Sequence, residues 1–123
     1  MRKKAVMIKS YKDLEIYQKA QKLYTLVIQL TNCFPRESFY LKDQLSRAAN
    51  SVGANIAEGF GRSPAEFRNY LTKSLGSCNE IGSHLEDCAG SHYGDVLLAR
   101  ALIKEYDVLG KRIYSLRKVW MRF

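Results

Sequence analysis

Three groups of residues in this sequence have types and spacings suited to chemistry. The first is cationic: Arg2, Lys3, Lys4, Lys9 and Lys12 near the start, and Lys111, Arg112, Arg117, Lys118 and Arg122 near the end, with no acid inside 1–12 or 111–123. Each cluster carries +5, so the 98 residues between them carry −2 within a chain of net charge +8. Lysines and arginines gathered in this way attract the phosphates of nucleic acid or an anionic membrane surface. The second group is Ser51, Asn55 and Glu58, whose spacing of four and three puts them on one helix face. The third is His84, Cys88 and His92, four apart, with donor types that suit zinc.

The second and third groups read as structural. Glu58 has no partner acid, base or metal ligand, so pairing with Arg62 or Arg47 accounts for it, and Asn55 caps or cross-links the turn that follows. The alternative is a polar seam that makes subunit or RNA contacts. The zinc set lacks a fourth ligand, and Gly90-Ser91 ends a helix before His92. No Ser-His-Asp, Cys-His or paired-carboxylate arrangement stands out. The expectation is a protein that is not an enzyme, with no catalytic residue, metal or cofactor.

Hydrophobic periodicity places these groups on helices nearly throughout. The first spans roughly 11–32, with Leu14, Tyr17, Ala20, Tyr24, Val27, Ile28 and Thr31 on its inner face and Ser10 and Asp13 capping its start. Pro35 interrupts, and Ser38 can cap a second helix over 39–58 with Leu41, Leu45, Ala48, Val52 and Ile56 inward. Ser63-Pro64-Ala65-Glu66 opens a third over 64–90, where proline suits the first position and Glu66 can return a bond to the cap amide. Its stripe is Phe67, Tyr70 or Leu71, Ser74 or Leu75, Cys78, Ile81, Leu85 and Cys88. A fourth, over 95–120, starts at Asp95 and carries Leu98, Leu102, Leu109, Ile113, Leu116 and Trp120. Neither strand-length alternation nor a tandem repeat appears.

Four helices of this length with short links predict one all-α domain over 1–123, an antiparallel up-down-up-down four-helix bundle. That topology gathers both +5 clusters and Arg62 at one pole. The stretch "NSVGANIAEGFGRSPAEF" then reads as a close-packed helix end and a turn. Ala49, Gly53 and Ala57 make a flat seam, Gly59 suits a left-handed position past the helix, and Gly61 gives the turn its freedom. Gly-Phe-Gly matches neither a P-loop nor a dinucleotide fingerprint, because no strand precedes it. No apolar run approaches the roughly 20 residues that span a bilayer. Cys33, Cys78 and Cys88 read as reduced thiols. The expectation is a cytoplasmic protein without a membrane role.

"YKDLEIYQKAQKL", "QLSRAANSVGANIAEGFGRS" and "YLTKSLGSCNEIGSHL", spanning roughly 11–88, resemble in order and spacing the bacterial four-helix-bundle family named for reading frames in 23S-rRNA intervening sequences. Gly53 departs from it, standing where the family usually has proline. The resemblance implies a ring-like homopentamer and a role in RNA binding. It extends to the accessory variability proteins of diversity-generating retroelements, basic pentamers that bind reverse transcriptase and template RNA. Arg47, Asn55, Glu58, Gly59, Gly61 and Arg62 are carried over by the motif, with no catalytic role. Two readings follow: an RNA-binding or RNA/DNA-binding assembly using the basic pole, with Tyr11, Phe60, Tyr114, Trp120 and Phe123 near it, or a protein-interaction scaffold with secondary RNA contact.

Overall fold

A computed structural model of the chain describes residues 7–120. Four α-helices, α1 (Glu15–Thr31), α2 (Phe39–Gly59), α3 (Pro64–Ser91) and α4 (Val96–Val119), are preceded or joined by two short 3-10 turns, Tyr11–Asp13 and Arg36–Ser38. Among the described residues there is no strand. Each helix packs on the next in sequence, and α4 returns beside α1. Residue numbers rise on one helix as they fall on its neighbour: Val52 meets Ser74 and Gly59 meets Tyr70 between α2 and α3, while Cys78 meets Gly110 and Thr72 meets Arg117 between α3 and α4. Between α4 and α1, Lys19 reaches Glu105 at 2.7 Å, while Leu14 lies beside Leu116. The helices therefore alternate in direction, as expected.

The core is a single cluster in which Leu23, Leu45, Ile56, Phe67, Leu71, Ile81, Leu85, Leu102, Leu109 and Ile113 are buried. On α1 the buried stripe is Ile16, Ala20, Leu23, Val27 and Leu30. It lies one position aside from the expected line through Tyr17 and Tyr24, which are half-buried at its flank. A phenol covers apolar surface while its hydroxyl seeks water, so the aliphatic residues take the centre. On α4, Tyr106 fills the gap between Leu102 and Leu109.

Local chemistry sets the helix boundaries. Ser10 and Asp13 do form a capping box, but it closes the 3-10 turn rather than opening α1. The Asp13 carboxylate accepts the Lys9 and Ser10 amides at 2.8 and 3.1 Å, Leu14 is then extended and buried, and α1 begins only at Glu15. The backbone hydrogen bonds to Asp13, Lys9 first, hold its pKa below the usual carboxylate value. Ser38 does not cap α2: its hydroxyl turns back to donate to the Pro35 carbonyl at 2.7 Å. Ser63 and Asp95 do cap, accepting from Glu66 N and Leu98 N. α2 runs unbroken through Gly53, and α4 through Gly110.

Candidate nucleic-acid interface

The expected pole forms from three chain segments. Phe67 at the start of α3 and Phe60 in the α2–α3 turn both pack on Trp120, just past the end of α4, with ring centroids 4.6 and 6.2 Å away. The T-shaped Phe67–Trp120 contact makes Trp120 part of the bundle end rather than an open stacking platform. Tyr11 packs edge-on against Tyr17, at 4.8 Å. Ile8 and Leu14 line one groove together with Leu116 and Val119, which brings the start of α1 to the same place.

The cations at this pole differ in availability. Lys9, Lys12, Arg112, Arg117 and Lys118 form no ion pair with a carboxylate among the described residues. Lys12 and Arg112 are exposed, Lys118 lies over the Tyr114 ring at 5.4 Å, and Arg117 is half-buried with its Nε donating to Thr72 Oγ1 at 2.8 Å. Lys111 pairs with Asp107 at 3.0 Å within α4. Arg62 is the most heavily engaged: it reaches Glu58 at 2.7 Å and Glu66 at 3.5 Å, and lies 5.1 Å over Tyr70. The Glu58 hydrogen bond, ahead of the other influences, raises its pKa above the ordinary arginine value. With two carboxylates against one guanidinium, Arg62 secures the turn and has little charge left for a phosphate. Arg2, Lys3, Lys4, Arg122 and Phe123 lie outside the described residues.

The motif residues do not share one task, and Asn55 bonds back within α2 rather than capping or cross-linking the α2–α3 turn. Asn55 donates to the Ser51 carbonyl at 2.9 Å, the Ser51 and Ser77 hydroxyls bond each other across the seam, and Ser74 donates to the Val52 carbonyl at 2.9 Å. Arg47 pairs with Asp43 and not with Glu58. Gly59 is not left-handed; it is the last residue of α2, and a Cβ there would fall 2.5 Å from Tyr70 Cβ. The left-handed residue is Gly61, at φ 87°. Glu66 accepts the Ser63 hydroxyl at 2.9 Å, and that bond, ahead of Arg62, lowers its pKa from the usual carboxylate value. His84 turns to Glu80 at 3.2 Å, Cys88 is buried, and His92 is the left-handed cap of α3. The three make no cluster, and no other group of three such ligands occurs among the described residues.

Two features escaped the sequence reading. Arg117 to Thr72 joins residues far apart in sequence, and nothing in the pattern of either helix signals the pair. The grooves beside α4 are equally hidden. One, of about 790 Å³, is lined by Ile8, Leu14, Ile16, Val108, Leu116 and Val119, with Lys111 and Arg112 at its edge. Exposed apolar residues such as Ile8, Val108 and Val119 carried the only signal, since they break the amphipathic rule.

The family model of the 23S rRNA-intervening sequence protein matches residues 12–115. The chain belongs to this family. The match covers all four helices except the last residues of α4, and it includes the α2–α3 turn. A solved structure from Bacteroides thetaiotaomicron, a protein of unknown function from the S23 ribosomal protein family, has the same fold: TM-score 0.78 at 23% identity, covering 85% of this chain and 99% of that one. No curated protein matches the chain.

Proposed function

We propose that this family member is a non-catalytic, cytoplasmic RNA-binding protein whose basic pole meets phosphates, working as a homo-oligomer with the pentameric ring that its resemblance implies. The observation that supports this most is the group of cations without carboxylate partners, Lys9, Lys12, Arg112, Arg117 and Lys118, at one end of the bundle. A ring repeats that end in every subunit, so weak phosphate contacts add by avidity without any base-specific motif. The resemblance to retroelement accessory proteins extends the proposal to template RNA and a reverse transcriptase as ligands. A neighbouring reverse-transcriptase gene with a template repeat is what that branch requires.

The apolar groove between α1 and α4 favours a second reading, in which the protein is a scaffold and a protein partner docks first. A salt series separates the two. Binding of single-stranded and structured RNA is measured for the wild type, for a variant with Lys111, Arg112, Arg117 and Lys118 all changed to Gln, and for Lys42→Gln at the far end. For single strands each lost phosphate contact reduces the slope of log K against log salt by about 0.7, so the four-site variant loses up to about 3. Lys42→Gln keeps the full slope. Equal slopes for all three proteins refute the placement, and negligible binding near physiological salt makes the protein partner primary.

A further inference from the structure

A second groove, of about 510 Å³, runs between α3 and α4. Leu75, Cys78, Ile103 and Tyr106 contribute to its lining, and two glycines keep it open. A Cβ at Gly82 would meet nothing within 4 Å, and one at Gly110 would come no closer than 3.8 Å to Cys78. Tyr106 is 1% exposed, and its hydroxyl has no hydrogen-bond partner among the described residues. Burial raises its pKa, so the group stays a neutral donor. A phenylalanine would fill the same space without stranding a polar atom, so the hydroxyl is a cost to the folded chain. The paired Lys111 and Asp107 and the half-exposed Tyr114 line the same groove, and Lys118, which lies over Tyr114 and pairs with no carboxylate among the described residues, leaves its edge net positive.

An apolar cleft with a stranded donor and a cationic rim calls for an occupant that is flat, carries acceptor atoms and is attached to negative charge. A helix from a second copy fits poorly at the buried hydroxyl, because its own carbonyls are already bonded. An aliphatic ligand leaves the donor unpaired. Building on the RNA-binding reading above, we infer that the groove receives an unpaired nucleobase, with the adjoining phosphate on Lys118, which has no carboxylate partner among the described residues, and the Tyr106 hydroxyl donating to the base. That hydroxyl lies below the accessible surface, so the groove wall beside Gly82 and Gly110 must yield as the base enters. Duplex RNA, whose bases are stacked and paired, does not use this site.

The experiment compares two strands of equal charge, an oligoadenylate of about ten nucleotides and a backbone of the same length without bases, by fluorescence anisotropy across a salt series. The base-bearing strand is expected to bind the wild type about tenfold more tightly. Gly82→Leu, which fills the groove from a partly exposed helix position, brings the two strands to near parity with the salt slope unchanged. Tyr106→Phe reduces the preference in the same direction while unfolding no earlier than the wild type. Wild-type parity between the strands, or an undiminished preference in both variants, overturns the inference while leaving phosphate binding intact. Sedimentation of Gly82→Leu as a smaller species makes the groove a contact between copies and overturns it as well. Failure of both strands to bind at any salt defeats the RNA reading and this inference together.

Discussion

Replacing Gly59 by Ala adds one methyl group where α2 and α3 come closest. The new Cβ would lie 2.5 Å from Tyr70 Cβ, 2.8 Å from Tyr70 Cγ and 3.0 Å from Phe67 Cδ1. Tyr70 Cβ is fixed to the α3 backbone, so no rotamer change relieves the first contact, and the helix ends must separate by about 1 Å to reach ordinary van der Waals distance. Overpacking of this kind costs about 1–3 kcal/mol. Alanine returns part of its helix advantage over glycine, about 1 kcal/mol in a helix interior and less at a last residue. The net expectation is a loss of about 1–2 kcal/mol. Gly76→Ala is the control: Gly76 is exposed within α3, a Cβ there meets nothing within 4 Å, and alanine should stabilise by about 0.5–1 kcal/mol. Equilibrium urea unfolding followed by circular dichroism, at matched protomer concentration, should place the two midpoints about 1 M apart, given slopes of about 1–3 kcal/mol per M. If the two variants unfold together, the close approach at Gly59 does not organise this seam.

Further outcomes follow from the caps, thiols and carboxylates. Asp95→Ala should cost about 1 kcal/mol in the same urea assay, because it frees Leu98 N, while Asp95→Asn, which also caps, should cost much less. In the native protein one thiol per chain, Cys33, should react with a disulfide reagent at pH 8, because Cys33 is exposed while burial pushes the Cys78 and Cys88 thiols up to about 12 and about 11; in denaturant all three should react. Asp13 and Glu66 have folded pKa values below their unfolded ones, so their contribution is present above the usual carboxylate pKa and is lost as pH falls through the lowered folded values. Asp13→Asn with Glu66→Gln should therefore make the acid side of the stability–pH curve shallower, and an unchanged acid limb would contradict those hydrogen bonds.

The helices, their order and most of the core were legible in the chain because helical periodicity and caps act over a few residues. Of the expected α2 stripe, Leu45, Ala48, Val52 and Ile56 are buried and Leu41 is half-buried, and Ser63-Pro64 and Asp95 open α3 and α4 where they stand. Even the basic pole follows from local facts, since four alternating helices bring the segment before α1 and the end of α4 to one end. Packing settled what remained. Gly59 is held to glycine by Tyr70, a residue on another helix that lies across it, while the left-handed turn falls to Gly61. Ser38 and the Ser10–Asp13 box were recognisable as capping chemistry, but which backbone groups they serve depends on where Pro35 and the buried Leu14 direct the chain. Of the cations predicted to meet phosphate, Arg62 is paired with Glu58 and Glu66 and Lys111 with Asp107, while Arg117 keeps its charge unpaired by any carboxylate among the described residues and is oriented by Thr72 on a neighbouring helix. Composition counts charges and periodicity assigns faces; the cross-helix distances that pair a charge or open a groove exist only once the helices are packed.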